Sequence, residues 1–229
     1  MIGYRLDGRI ATITMDDGKV NALSPGMLGR LDAALDRAES DKAVVLLTGR
    51  EGVFSAGFDL STLRAGGPEA IAMVRTGFEL AARLLSFPAP VIVACTGHAV
   101  AMGVFLLLSG DARVGAAGPY RLVANEVAIG LTLPYAAIEI LRQRLSPAHF
   151  TRAALLAEPY TPETAVGAGF LDQVVPPDEL LDAARGIAEA ATMLDSDAHA
   201  ATKLRARQHT LDAIRAAIDA DARALRLPA

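Results

Sequence analysis

The sequence predicts an α/β fold with a mainly parallel sheet and a helical region at its C-terminal end. Residues 43–48 and 91–95 are apolar throughout, which is typical of parallel strands covered on both faces. A helical pattern follows each of them, and strand–helix alternation of this kind indicates right-handed βαβ units. Beyond Pro177 only helical patterns follow. We therefore predict a core over residues 1–177 and a C-terminal helical oligomerisation region over 178–229. These helices need a surface to pack on, which is either this core or another subunit.

The first elements are predicted from local signals. Short β-type runs at 4–6 and 10–15, separated by a glycine-containing turn, predict a hairpin. Ser24 followed by Pro25 predicts the start of a helix, because serine caps helix N-termini and proline suits the first helical position. After residues 43–48, a helix is predicted from about 68 to 85, and prolines end it before residues 91–95.

Later elements follow the same logic. The apolar stretch after residue 95 predicts a helix that continues to about residue 109. The remaining predictions are strands at 112–114, 120–123 and 171–175, helix starts at Ser146 and Thr161, and helices over 178–194 and from 197 to about Leu227. The arginines of the last helix, at 205, 207, 215, 223 and 226, are interpreted as a solvated face.

Composition excludes several functional classes. The 229 residues are 52% hydrophobic, carry a net charge of −4 and contain 5% aromatic residues without tryptophan, which speaks against nucleic-acid binding. One cysteine, Cys95, and four histidines exclude an internal disulfide and a Cys-rich zinc site and suggest a reducing compartment. No signal-peptide pattern or membrane-length apolar run is present. We predict a cytoplasmic protein without a membrane partner.

Two segments leave a strand through a glycine-containing turn. In residues 53–60, Gly57 lets the backbone turn where a side chain would crowd a ligand, although a plain turn with Asp59 capping the next helix explains the pattern better. Residues 94–103 lead from a strand into a helix whose first N–H groups lack internal partners. Two such turns would place two N–H donors on one oxygen, which is the arrangement of an oxyanion hole.

Glu126 is the remaining candidate for chemistry. It lies within a mostly apolar stretch, residues 123–130, where an ionised carboxylate is costly unless it is paired or functional. Partial burial would raise its pKa and suit it to proton transfer. A hydrogen bond to a neighbouring loop is an equally good interpretation of the sequence alone.

These segments, in this order, resemble the crotonase family of enoyl-CoA hydratases and isomerases. Residues 20–23, 56–60, 97–99 and 165–175 are similar to the family's loop, oxyanion-turn and late helix–strand motifs. The resemblance implies a crotonase-like spiral of ββα units, an acyl-CoA substrate, and a homotrimer or hexamer. It implies no metal and no cofactor beyond the coenzyme A of the substrate.

The resemblance also implies roles for individual residues. The N–H groups of Phe58 and Met102 would hold the thioester oxygen, and Glu126 would transfer the proton. Contacts with the substrate are expected from Ala22, Ala56, Phe58, Phe105 and Tyr135.

Two departures from the family pattern narrow the choice of reaction. Ala101-Met102-Gly103 replaces a run of glycines, and Phe105 replaces one of the two carboxylates that hydratases use. We therefore expect isomerase-type proton transfer by Glu126, with a hydratase or a non-catalytic CoA-binding protein as alternatives. A serine hydrolase is a further alternative with Ser55, Ser109 and His98 as its candidate residues, but the sequence around Ser109 lacks the first glycine of a nucleophile elbow.

Overall fold

A computed structural model describes residues 1–224, which form two β-sheets surrounded by helices. The strands in chain order are β1 (Ile2–Asp7), β2 (Ile10–Met15), β3 (Val44–Thr48), β4 (Gly52–Ser55), β5 (Val91–Cys95), β6 (Gly97–Val100), β7 (Ala112–Ala116), β8 (Leu122–Val123) and β9 (Gln173–Val175). The α-helices in chain order are α1 (Pro25–Ser40), α2 (Leu60–Ala65), α3 (Gly67–Ser86), α4 (Met102–Leu108), α5 (Tyr135–Arg142), α6 (Pro147–Leu156), α7 (Pro162–Ala168), α8 (Leu180–Ala191) and α9 (Ser196–Ala224).

The larger sheet has six strands in the order β1-β2-β3-β5-β7-β9. Only β1 and β2 pair antiparallel, as the predicted hairpin, and every other neighbouring pair is parallel. All residues of β3 and β5 are buried, because helices cover both faces of the sheet at these strands. The predicted α/β class with a mainly parallel sheet is confirmed.

Local signals placed several helices correctly. Ser24 caps α1, since its hydroxyl accepts the Met27 N–H at 3.2 Å. Thr161 opens α7 with a reciprocal capping box that involves Thr164. Ser146 precedes α6 at the predicted position, but its side chain caps no amide within residues 1–224.

The smaller sheet has the strand order β4-β6-β8, and of its strands only β8 lies where a strand was predicted, within residues 120–123. The prediction that a helix directly follows residue 95 is wrong. After Cys95 the chain instead forms β6, which pairs in parallel with β4 on one side and β8 on the other. Strands β4 and β6, with four residues each, are too short for their side-chain pattern to separate them from a turn.

The C-terminal helices pack on the core of their own chain. Helix α8 lies against β3, β5 and β7 and covers one face of the larger sheet, while α9 packs against α3 and α5. Asp221 of α9 accepts the N–H groups of Tyr135 and Ala136 at 2.8 and 3.0 Å and so caps α5. The role of this region in subunit association stays a prediction. The predicted helix end near Leu227 and the residue Arg226 lie outside the described residues.

One arginine of the predicted solvated face is not solvated. Arg207 donates to the Leu85 carbonyl at 2.9 Å and pairs with Asp111 at 2.8 Å, where Lys203 also binds at 2.7 Å. The cause is Asp111, which directly precedes β7 and whose carboxylate is partly covered by α9, so that pairing with cations of α9 stabilises it. Among residues 1–224 no helix combines the length and apolar character needed to cross a membrane.

Candidate active site

The smaller sheet brings the three candidate segments to one edge. Ser55 of β4 is in register with Ala99 of β6, and Ala99 is in register with Leu122 of β8. All three strands run in the same direction, so the chain leaves them at the same end. Phe58, Met102 and Glu126 come directly after these strands, at the carboxyl edge where α/β proteins bind ligands.

The turn after β4 leaves one main-chain N–H without a partner. The N–H of Gly57 donates to the Ser55 hydroxyl at 3.1 Å, and the N–H of Asp59 donates to the Leu23 carbonyl at 3.3 Å. The Phe58 N–H between them has no acceptor anywhere in residues 1–224. The turn therefore presents a single free donor.

A second free donor lies next to this turn. Met102 is the first residue of α4, and its N–H finds no acceptor among the residues the structure describes. Gly57 adopts φ +88°, and a Cβ at this glycine would lie 3.2 Å from the Met102 nitrogen and 2.9 Å from the Val100 carbonyl oxygen. The two turns touch because this position has no side chain. The N–H groups of Phe58 and Met102 therefore lie on neighbouring turns.

The backbone before Met102 is strained. Ala101 adopts φ +50° and ψ −125°, a conformation that residues with a Cβ rarely take. A conformation of this kind costs of order 1–3 kcal/mol and persists only where the surroundings impose it. Here the Ala101 N–H donates to the Val123 carbonyl at 2.9 Å, and its own carbonyl accepts the N–H of Val104. These bonds fix the turn that aims the Met102 N–H.

Glu126 is a buried carboxyl group. Its residue is 8% exposed, and its Oε2 has no hydrogen-bond partner within residues 1–224. Burial raises the pKa of Glu126 to about 7, because the apolar surroundings disfavour the charged form. The alternative interpretation was a carboxylate hydrogen-bonded to a neighbouring loop. Oε2 makes no such hydrogen bond within residues 1–224. A carboxyl that titrates near neutrality is suited to accept and return a proton.

Aromatic rings fill the space beside the first turn. The Phe58 ring meets Phe78 edge to face with centroids 6.1 Å apart, and Phe78 lies 5.9 Å from Phe105. Phe105 is 1% exposed and belongs to the hydrophobic core. The position where the family resemblance implies a second carboxylate is therefore apolar and closed to solvent.

The remaining predicted contact residues lie at different depths. Ala22 and Ala56 are both half-buried. They lie on adjacent segments, which are joined by the hydrogen bond from the Ala56 N–H to the Val20 carbonyl at 3.0 Å. Tyr135, the first residue of α5, is 59% exposed. Phe58 is half-buried. Their contacts with a substrate stay predictions.

The candidate residues of a serine hydrolase do not form a catalytic pair. The Ser55 hydroxyl donates to the Asn21 carbonyl at 2.8 Å, and the Ser109 hydroxyl donates to the Phe105 carbonyl at 2.8 Å. Both serines are completely buried. Neither hydroxyl meets a histidine, and the Nδ1 of His98 accepts the Arg121 N–H at 3.0 Å.

A buried asparagine that supports the site was not singled out in the sequence. Asn21 is completely buried at φ +52°, and its side-chain amide donates to the carbonyls of Met15 and Phe54 at 2.9 and 3.0 Å. It thereby ties the chain after β2 to β4 immediately before the first turn. Its position in residues 20–23 marked the loop, but nothing in the local sequence indicated an amide with these partners.

Comparison with known proteins now identifies the group to which the chain belongs. The sequence profile of the enoyl-CoA hydratase/isomerase family matches residues 5–227. The chain belongs to the enoyl-CoA hydratase/isomerase family. This is the crotonase family that the motifs resembled, and enzymes of the family act on acyl-CoA substrates.

Solved structures of family members share the fold closely. The chain is 50% identical to an enoyl-CoA hydratase of Mycobacterium ulcerans, with 98% of each chain covered and a TM-score of 0.94. It is 51% identical to an enoyl-CoA isomerase of Mycobacterium tuberculosis, with 97% of each chain covered and a TM-score of 0.93. Human mitochondrial delta3-delta2-enoyl-CoA isomerase is 29% identical, with 98% of this chain and 90% of that chain covered and a TM-score of 0.91.

These relatives confirm the crotonase fold of the chain and leave its reaction open. The two mycobacterial proteins differ by only one percentage point in identity to this chain, and their names give different activities. The choice between hydration and isomerisation therefore rests on the residues of the site.

Proposed function

We propose that the protein is an enoyl-CoA isomerase that moves a double bond from the 3- to the 2-position of an acyl-CoA thioester. In this proposal the N–H groups of Phe58 and Met102 hold the thioester oxygen. Glu126 takes a proton from C2 of the acyl chain, and the negative charge spreads from C2 to C4 and onto the held oxygen. The same carboxyl then returns a proton at C4, which leaves the double bond between C2 and C3.

One observation carries the choice of isomerisation. Glu126 is a buried carboxyl with a raised pKa, while the position implied for a second carboxylate holds the buried ring of Phe105. Proton transfer between two carbons of one substrate needs a single acid–base group. Adding water needs groups that orient the water and move its protons, and Phe105 neither donates nor accepts one.

The free main-chain donors support the proposal that the thioester oxygen is held by two N–H groups. An oxygen that gains charge during reaction is stabilised most by donors that are already in place and carry no other bond. The N–H groups of Phe58 and Met102 meet this requirement within residues 1–224, because neither is used by the fold. Hydrogen bonds fix the turns around both of them, so little reorganisation is needed when the charge develops.

A paired turnover assay tests the reaction. Purified protein is incubated with 3-hexenoyl-CoA and, separately, with 2-hexenoyl-CoA, and the products are separated by chromatography. We expect the first substrate to give 2-hexenoyl-CoA. Hydration of the second substrate should be at least about 10²-fold slower than this isomerisation, because the second acid–base group is missing. Fast hydration without isomerisation would favour the hydratase alternative, and acyl-CoA binding without either reaction would favour a non-catalytic CoA-binding protein.

Variants assign the proton transfer to Glu126. Glu126→Gln is expected to lower isomerisation about 10²- to 10⁴-fold while acyl-CoA still binds. Glu139 offers a matched control, since it lies in α5 and its carboxylate pairs with Arg142 at 3.5 Å. Glu139→Gln should leave the rate within about twofold, as expected for a surface pair. An equal loss in both variants would remove Glu126 from the mechanism.

Assembly and location complete the proposal. The family resemblance supports a homotrimer or hexamer, and Val127, Ile129 and Leu131 offer apolar side chains, 45–54% exposed, for such contacts beside the site. Light scattering of the purified protein tests the mass, and a monomer would contradict this part. A cytoplasmic location is supported by the lone buried Cys95, because the chain depends on no disulfide.

A further inference from the structure

Ser55 stands between the two turns that carry the free N–H groups. Its hydroxyl has one proton, which it donates to the Asn21 carbonyl at 2.8 Å, and it accepts the Gly57 N–H at 3.1 Å. The side chain is completely buried. Both hydrogen-bonding capacities of the hydroxyl are therefore directed at the backbone of the site.

The bond to Gly57 acts on the least restricted residue of the turn. Glycine has more backbone freedom than any other residue, and Gly57 adopts φ +88°. Ser55 holds the N–H of Gly57, and the Leu23 N–H holds its carbonyl oxygen at 2.8 Å. With both sides of Gly57 fixed, the next N–H, that of Phe58, points away from these partners and stays free.

The same serine also contacts the second turn. Gly103 of α4 packs directly on Ser55, because a Cβ at Gly103 would lie 2.9 Å from the Ser55 Cβ and would overlap the Ser55 carbonyl oxygen. Met102, with the second free N–H, is the neighbour of Gly103 at the start of this helix. The position of Ser55 therefore affects the spacing of both donors.

We infer that Ser55 is a positioning residue of the oxyanion hole, whose buried hydroxyl, together with the Leu23 N–H, sets the direction of the Phe58 N–H. This role rests on the proposed function, because it requires that the Phe58 N–H holds a thioester oxygen. The hydroxyl itself does not touch the substrate. Its loss should weaken the stabilisation of charge that develops during reaction and leave binding of the uncharged thioester nearly unchanged.

A matched pair of serine variants tests this inference. Ser109 is also completely buried and also donates to a main-chain carbonyl at 2.8 Å, but its acceptor is in α4 and not in the turns. Ser55→Ala is expected to lower kcat about 10- to 100-fold, with KM and the Kd for butanoyl-CoA changed by less than about threefold. Ser109→Ala is expected to leave kcat within about threefold. A Ser55→Ala kcat within threefold of the Ser109→Ala kcat would overturn the inference.

Further measurements separate positioning from loss of folding. Ser55→Cys keeps a weak donor and acceptor of similar size, so its kcat should lie between those of the wild type and Ser55→Ala. If Ser55→Ala does not fold, Ser55→Cys is compared with Ser109→Cys, and equal kcat values for this pair would again overturn the inference. The comparison uses whichever reaction the wild type catalyses, isomerisation or hydration. A wild type that catalyses neither would refute the proposed function and, with it, this role of Ser55.

Discussion

Replacing Glu126 by glutamine should stabilise the fold while it removes activity, and the stabilisation should depend on pH. The residue is 8% exposed and Oε2 lacks a partner within residues 1–224, so ionising this carboxyl in the folded chain is costly. Glutamine has nearly the same shape and does not ionise. The variant therefore removes the cost of ionisation and keeps the packing.

The size of the effect follows from the raised pKa. Burial raises the pKa of Glu126 from 4.5 to about 7, so the folded state binds this proton more tightly than the unfolded chain does. A difference of that size corresponds to about 3 kcal/mol of free energy of unfolding. The cost is absent below pH 4.5, grows as pH rises, and is complete above pH 7. The free energy of unfolding of Glu126→Gln, relative to that of the wild type, should therefore increase by about 3 kcal/mol as the pH is raised from below 4.5 to above 7.

Thermal unfolding over this pH range measures the gain. A free-energy difference of about 3 kcal/mol corresponds to about 6–12 °C in Tm for a chain of this size. The gap in Tm between Glu126→Gln and the wild type should widen by this amount from acidic pH to pH 8. Glu139→Gln, which removes a partly exposed carboxylate, should show no comparable widening. A gap for Glu126→Gln that is the same at every pH would refute the idea that this carboxyl is desolvated.

Three further predictions concern the rate, the first turn and the docking of α9. The kcat/KM of isomerisation should rise about tenfold per pH unit up to about pH 7 and then level off, since Glu126 must be ionised to act as a base; a flat profile from pH 5 to 8 would contradict this. Gly57→Ala should lower the free energy of unfolding in urea by at least about 1–2 kcal/mol, because φ is +88° and the new Cβ would lie 2.9 Å from the Val100 carbonyl oxygen. An unchanged free energy of unfolding would show that the turn relaxes. Asp221→Asn should lower the free energy of unfolding by about 1–3 kcal/mol, because both carboxylate oxygens accept N–H groups of α5. Asp219→Asn, on the exposed side of α9, should lower it by less than about 1 kcal/mol, and equal losses would mean that the cap does not hold α9.

The sequence predicted the elements whose signal is local. Strands β3 and β5 are visible because both faces are covered and every residue is apolar. Helix α1 begins where Ser24 and Pro25 supply a cap and a fixed φ. Glu126 was noticeable because a charged residue within an apolar stretch is costly, and the structure shows that it is buried.

The features that were missed depend on contacts between distant parts of the chain. Strands β4 and β6 are short, and each is stabilised by pairing with a neighbour about 20–50 residues away, which no local pattern encodes. Arg207 resembled a surface residue because helical periodicity does not reveal Asp111 beneath α9. The hydrogen bond from the Ser55 hydroxyl to the Asn21 carbonyl likewise became apparent only when residues 20–23 and 55–57 were brought together.

Isotope exchange at C2 of the substrate tests the central claim most directly. 3-Hexenoyl-CoA carrying two deuterium atoms at C2 is incubated at pH 8 with the wild type and with Glu126→Gln. The deuterium at C2 is followed by NMR, which distinguishes it from deuterium returned at C4. The wild type should lose C2 deuterium as the double bond moves, and the variant should do so about 10²–10⁴ times more slowly while it still binds the thioester. Loss of C2 deuterium at the same rate in both proteins would contradict proton transfer by Glu126.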